Sequence, residues 1–241
     1  MNEIFEYHTL IYSSMTDHTG MLGIPNLFAL FMDAATAHAE QLGFGADAMK
    51  ARGLFWLTVK TKIRINSRPR LMEEVQVQTW PGKPERYRCP RYYRLLRKEE
   101  VLAEGKTEWA VWNINSGSLA PAKEAYPDNL PLVAQTVCDG PFARIVTDFS
   151  QAPLLETYCV RSTDIDLGGH MNNAAYIRTV FGAISTKELD AENITEAEAL
   201  FKMPCYEGEA LRLLRQQKDA ATEYAVLRPD GQAAFLMRLT Y

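Results

Sequence analysis

Apolar and polar positions along this 241-residue chain fall into two similar series. The first opens with a β-branched and aromatic run at residues 7–15, the composition of a strand. A polar loop follows over 16–23. Residues 24–42 are then apolar on almost every helical face, as at Leu27, Phe31 and Ala35. Pro25 suits the first turn of a helix, and Gly43 and Gly45 end it. A helix of this kind has to be buried. Strand-like runs come next, at 55–65, 74–80, 86–97 and 108–114, with turns at Pro81-Gly82 and at 98–100. Residues 115–153 carry repeated Pro and Gly and little periodicity. They are too long for a loop inside one compact unit, which predicts a connection between units.

The pattern then restarts. A strand is expected at 155–160, a loop at 162–170 and a helix at 173–189. Further strands are expected at 197–203, 209–216, 223–227 and 233–241, with a turn at Pro229-Asp230-Gly231. Thr16-Asp17 aligns with Thr163-Asp164 at an offset of 147, and Ser67-Arg68-Pro69-Arg70 parallels Lys202-Met203-Pro204-Cys205. This reads as a tandem duplication of one strand–loop–helix–sheet unit. The expected division is a first unit over 1–135, a linker over 136–149 and a second unit over 150–241. In that register Thr19 stands opposite Asp166 and Gly23 opposite His170, so the first copy lacks both ionisable groups. Each apolar helix is best buried by an antiparallel sheet that curls around it, an α+β arrangement.

The chemistry concentrates in the second loop. Residues 161–177 read R-S-T-D-I-D-L-G-G-H-M-N-N-A-A-Y-I. Asp164, Asp166 and His170 flank a Gly-Gly bend, and an Asn-Asn pair then starts the helix. Asn is a preferred N-cap because its side chain accepts from the first free backbone N–H groups. A carboxylate, an imidazole and backbone donors beside a helix N-terminus are a set of parts for attack on a carbonyl. The same residues also compose an ordinary polar turn.

Composition narrows the classes. Hydrophobic content is 47%, enough for one large or two small cores. No apolar run reaches the roughly 18–20 residues that span a bilayer. The N-terminal residues are acidic and read as no signal peptide. Four scattered cysteines (Cys89, Cys138, Cys159, Cys205) suggest reduced thiols in a cytoplasmic protein. No glycine-rich phosphate loop indicates a nucleotide cofactor, and one histidine among scattered carboxylates indicates no metal site. Thirteen of the 26 Lys and Arg lie within 52–98, against three acids, Glu73, Glu74 and Glu85. So concentrated a basic stretch in an acidic protein predicts an acidic or phosphate-bearing partner, or else a solvated strand face. No nucleic-acid recognition motif accompanies it.

The stretch D-I-D-L-G-G-H-M-N-N-A-A-Y-I resembles the D-x-D-x-N-x-H-x-N-N-x-x-Y-I signature of acyl-acyl-carrier-protein thioesterases. The G-x-x-G-I-P-N-L-F entry to the first helix is similar to that family's first half. The resemblance covers nearly the whole chain. It implies a tandem hotdog fold, in which each of two antiparallel sheets wraps a central helix. It implies release of free fatty acid from acyl carrier protein, which would dock on the basic segment 60–98. Asp166 and His170 match the motif aspartate and histidine, and Cys205 matches the cysteine of a later Glu-Cys pair. Two positions depart from the pattern: Gly168 replaces an asparagine and Pro204 the glutamate. The backbone N–H groups of Gly168, Gly169 and Met171 are expected to replace the lost side-chain donor. Asp166 is expected as base or nucleophile and His170 as hydrogen-bonding partner or acid. Cys205 is a nucleophile only if His170 lowers its pKa; otherwise it is an inert core cysteine. Leu27, Leu30, Phe31 and Ala34 are candidates for an acyl tunnel or plain core. The rival readings are an acyl-CoA thioesterase, a hotdog hydratase or dehydratase, and a non-catalytic acyl-thioester sensor. Chain length and pairing of two chains into a homodimer are left open.

Overall fold

A computed structural model describes residues 4–127, 130 and 132–241. The chain divides into two compact units, Met1–Gly140 and Pro141–Tyr241. In the first, β1 (Phe5–Leu10) leads through a 3-10 turn (Ser13–Met15) to α1 (Ile24–Gln41) and a short α2 (Ala46–Ala51). Four strands follow: β2 (Leu54–Ile65), β3 (Glu74–Pro81), β4 (Cys89–Arg97) and β5 (Glu100–Asn113). A three-residue β6 (Ser118–Ala120) pairs with β5. The sheet order is β1-β3-β4-β5-β2, antiparallel throughout.

The second unit repeats this. β7 (Leu154–Cys159), a 3-10 turn (Ser162–Asp164), α3 (Asn173–Gly182) and α4 (Thr186–Ala191) precede β8 (Glu196–Phe201), β9 (Ala210–Lys218), β10 (Ala221–Leu227) and β11 (Ala233–Thr240). Its order, β7-β9-β10-β11-β8, is the first unit's order strand for strand. Each unit is a helix held on one face of an antiparallel sheet, the hotdog arrangement.

Side-chain alternation shows why each helix stays inside. Tyr93, Gly105 and Ile63 lie in one register row of β4, β5 and β2. Phe31 of α1 stacks on Tyr93 with ring centroids 4.9 Å apart. Gly105 is required there: a Cβ at that position would sit 2.8 Å from Phe31 Cε2. In the second unit Tyr176 of α3 stacks on Phe235 at 5.3 Å. Burying such rings contributes roughly 1.5–3 kcal/mol each.

Three differences from the sequence reading have physical causes. The helix expected over 173–189 ends at Gly182, and Ser185 opens α4 with a capping box to Glu188. The first half of β5 is hidden from periodicity because its inner positions are Ala103, Gly105 and Thr107, which are not bulky apolar residues. The segment expected as a linker, 136–149, divides between the units. Gln135 O accepts from Trp80 Nε1 at 2.8 Å, and Cys138 is buried in the first. Ile145 and Phe149 join a core cluster with Leu214, Ala225 and Leu236 in the second.

The duplication is visible in the hydrogen bonds, and it corrects the register. Asp17 N–H donates to Met21 O at 2.8 Å, and Asp166 N–H to His170 O at 2.9 Å. Gly20 N–H donates to Asp17 O and Gly169 N–H to Asp166 O, both at 3.0 Å. Gly20 and Gly169 have φ of 75° and 76°, the left-handed turn position that glycine occupies without steric cost. The offset is therefore 149, two more than the Thr-Asp pairs suggest. Asp17, not Thr19, is the counterpart of Asp166, and Met21, not Gly23, that of His170. The first loop keeps the carboxylate, has Met21 where the second has His170, and carries its own histidine, His18, opposite Leu167.

His38, on the buried side of α1, gives this fold a pH dependence. Burial, aided by the charge of Arg91, lowers its pKa to about 4, and its Nδ1 lies 3.1 Å from an Arg91 guanidinium nitrogen. In the unfolded chain the ring protonates near pH 6.5. Between these values the unfolded chain binds more protons, so this contribution is complete above about pH 6.5 and is lost towards pH 4. The full effect is about 3 kcal/mol. Urea denaturation across that range should show the loss, and His38→Gln, which keeps an acceptor for Arg91, should flatten it.

Candidate active site

The second loop is a narrow hairpin-like turn. Ile165 and Met171 bridge in antiparallel fashion, and the next pair inward is Asp166 and His170. Directly opposed residues project to the same side, with Cβ atoms about 4.5–5.5 Å apart. The backbone bond thus sets Asp166 and His170 opposite each other at the loop neck. Leu167 at the tip is fully exposed. Asn172 caps α3, accepting from Ala174 N–H at 2.8 Å, while its own N–H donates to Asp164 O at 2.7 Å.

The two motif carboxylates have separate roles. Asp164 is buried and accepts from Tyr158 Oη at 2.7 Å and from Arg161 N–H at 2.9 Å. It holds the strand-to-loop corner. Asp166 is half-buried; its Oδ1 accepts from Gly168 N–H at 2.8 Å, and among the described residues it has no ion-pair partner.

The structure brings Cys205 beside this loop but not as an activated thiol. Met171 N–H donates to Cys205 O at 2.8 Å. The Cys205 side chain is fully buried, and burial pushes its pKa up to about 11 against the opposing hydrogen bond of Tyr176. At pH 7 such a thiol is thiolate in about one molecule in 10⁴, a poor nucleophile. Burial is the main cause; Tyr176, Glu209 and Arg228 also act on it, and His170 does not.

The amides expected as oxyanion donors are already engaged. Gly168 N–H serves Asp166 Oδ1, Gly169 N–H serves Asp166 O, and Met171 N–H serves Cys205 O. They build the loop and are not available to a carbonyl oxygen. The sequence reading also missed Tyr206. Its ring meets His170 edge-on at 5.2 Å, and Arg228, paired with Glu209 at 2.7 Å, lies over the Tyr206 ring at 5.9 Å from its centroid. The only available signal was its position directly after Cys205. Among the described residues, no group of three or more His, Cys, Asp or Glu is placed to hold a metal.

The basic segment is largely spent on internal pairing. Arg68 pairs with Asp17, Arg94 with Glu104 at 3.2 Å, and Arg97 with Glu73 at 3.0 Å and Glu100 at 2.7 Å. Lys60 lies 3.4 Å from Glu108, and Arg91 is buried. Its most exposed part is the β3–β4 connection, with Lys83, Arg86 and Arg88. No helix among the described residues is long and apolar enough to cross a membrane.

Solved structures place this architecture among double-hotdog proteins. An acyl-ACP thioesterase from Bacteroides thetaiotaomicron superposes with a TM-score of 0.89 at 20% identity, covering 99% of this chain and 97% of its own. The 12:0-ACP thioesterase from Umbellularia californica gives 0.85 at 19% identity, covering 100% and 97%. Family profiles described as the acyl-ACP thioesterase N-terminal and C-terminal domains match residues 2–127 and 149–234. The chain belongs to the acyl-ACP thioesterase family. Among curated relatives, a chloroplastic palmitoyl-acyl carrier protein thioesterase of Gossypium hirsutum is 21% identical over 208 residues, covering 82% of this chain and 50% of the relative. A chloroplastic oleoyl-acyl carrier protein thioesterase of Arabidopsis thaliana is 21% identical, covering 77% and 55%. The chain thus spans about half the length of the curated relatives it matches.

Thiol labelling checks the reading of Cys205. Of the four cysteines only Cys159 is exposed. Alkylation of the native protein should modify Cys159 first and leave Cys205 unmodified, with urea restoring its reaction. Cys205→Ala should still fold and lower stability by about 1–2 kcal/mol, from lost burial.

Proposed function

We propose that the protein hydrolyses fatty acyl thioesters of acyl carrier protein, with Asp166 as general base and His170 as hydrogen-bond donor and acid. The observation that carries this is the pairing of Asp166 and His170 across the loop neck, with Asp166 outside any ion pair among the described residues. Family membership supports the substrate class.

In this mechanism a water held by the free side of the Asp166 carboxylate gives up its proton as it attacks the thioester carbonyl. With the amides of Gly168, Gly169 and Met171 engaged, the ring N–H of His170 serves as donor to the developing oxyanion. Collapse breaks the C–S bond; the imidazole passes a proton to the thiolate as it takes up, on its other ring nitrogen, the proton that Asp166 drew from the water, so both groups end as they began. The products are a carboxylate and the carrier thiol. Tyr206, edge-on to His170, limits the directions its ring can face. Cys205 takes no covalent part. A cytoplasmic setting accompanies this reading and is supported by four free thiols.

Thiol release from acyl-carrier-protein thioesters of several chain lengths is the direct test. Asp166→Asn and His170→Ala should each lower kcat by about 10²–10⁴-fold, the range for lost acid–base catalysis. Saturable binding of acyl thioester without any release by the wild type would overturn the enzymatic reading.

For the carrier, an acidic protein, the same proposal assigns docking to Lys83, Arg86 and Arg88. Reversing two of these charges should raise KM for the carrier-protein substrate with little change in kcat, and the difference should shrink as salt rises. An acyl-CoA substrate should show a smaller change, since its contact with this loop would be less extensive.

A further inference from the structure

The two loops are near-copies, yet one carboxylate is locked and the other is not. Asp17 is ion-paired and hydrogen-bonded to Arg68, and Thr19 donates to it through both N–H, at 2.9 Å, and Oγ1, at 2.6 Å. Burial works against ionisation of Asp17, but these bonds and the Arg68 charge outweigh it and hold the carboxyl below the usual carboxylate range.

Backbone hydrogen bonds identify the position equivalent to Arg68. Leu22 N–H donates to Pro69 O and Met171 N–H to Cys205 O, both at 2.8 Å. Ile11 N–H donates to Glu73 O and Val160 N–H to Glu209 O, both at 3.0 Å. Arg70 N–H and Tyr206 N–H donate to the side chains of Glu73 and Glu209, at 3.0 and 3.2 Å. After the helices the repeat therefore runs at an offset of 136, thirteen less than before them. Residue 68 maps to residue 204, and residue 17 to residue 166. Pro204 stands where the first unit carries the arginine.

We infer that Pro204 is a positioning residue: occupying the place of Arg68, it keeps Asp166 out of an ion pair and so leaves that carboxylate available as a base. Proline has no donor and no charge to offer. A cation in its place would reach the Asp166 carboxylate by the route Arg68 takes to Asp17. It would compete with water for the free oxygen and make the carboxylate a weaker base. The loss of the arginine, the loss of the Thr19 hydroxyl at Gly168 and the gain of His170 at the position of Met21 are the differences between the two loops that bear on the carboxylate. This inference rests on the proposed role of Asp166.

The test is Pro204→Arg, with Pro204→Lys as a second cation and Pro204→Met as an uncharged control of similar reach. The backbone at this position already accommodates a non-proline residue in the first unit, at Arg68. Circular dichroism and thermal unfolding verify the fold of each variant. Two readouts are taken: thiol release across pH, and titration of the Asp166 carboxyl carbon by NMR. The cationic variants should move the Asp166 titration to lower pH and move the acid limb of the pH–rate profile with it. They should lower kcat at least about tenfold with little change in KM. Pro204→Met should leave both readouts close to wild type. An Asp166 titration that does not move in either cationic variant overturns the inference. A titration that moves while thiol release is unaffected overturns instead the role of Asp166 as base. Loss of activity in Pro204→Met equal to that in Pro204→Arg shows that proline's backbone and not its missing charge matters, and also overturns the inference.

Discussion

The backbone bond from Met171 N–H to Cys205 O is the tie on which the candidate site depends. It joins the end of the loop to the segment between β8 and β9, two stretches more than thirty residues apart in sequence. Once it is made, Met171 is fixed, the Ile165–Met171 bridge closes the loop neck, and Asp166 and His170 stand opposite each other across it. The same tie in the first unit, from Leu22 N–H to Pro69 O, fixes an almost identical loop. A loop held at its neck by backbone bonds can exchange side chains at little structural cost. Duplication followed by such exchange accounts for one locked carboxylate and one open one.

The hydrogen-bond ledger of the loop also constrains the chemistry. The three amides expected to form an oxyanion hole, those of Gly168, Gly169 and Met171, are already structural donors. Asn172 is occupied as a cap, and Asp164 as an anchor for Tyr158 and Arg161. Chemistry is left to side chains that the loop does not need for its own shape. Asp166 with one unshared oxygen, and His170 packed against Tyr206, are the two that meet this condition. Cys205 does not: its backbone carbonyl is the tie itself, and its thiol lies in the apolar interior, where ionisation is costly.

Charge follows a similar logic. A basic stretch that looks in sequence like a docking face is, in the sheet, a set of outward positions facing Glu104, Glu108 and Glu73 across neighbouring strands. Such half-exposed pairs are each worth little, around 1 kcal/mol or less. They nevertheless consume the charge that a partner would read. What remains for an acidic partner is the β3–β4 connection, where Lys83 and Arg86 reach solvent and Arg88 is exposed beside Glu85 and Glu108.

Much of this protein is written in local pattern. The burial of α1 could be read from its apolar faces, because a helix apolar all round has no stable place in water. The start of α3 could be read from Asn172, because capping is a contact between adjacent residues. Duplication was legible from the order of the elements, and the candidate pair Asp166 and His170 stood out as a compact motif. The register of the repeat was not. A Thr-Asp coincidence at 147 conceals the true 149, because only the hydrogen bonds of the folded loops show which aspartate occupies which corner. Nor could sequence tell that Gly168, Gly169 and Met171 donate inward, that Cys205 is buried, or that Tyr206 meets His170. Those facts depend on segments far apart in the chain being brought side by side, and burial and hydrogen-bond partnership exist only once the sheet has done so.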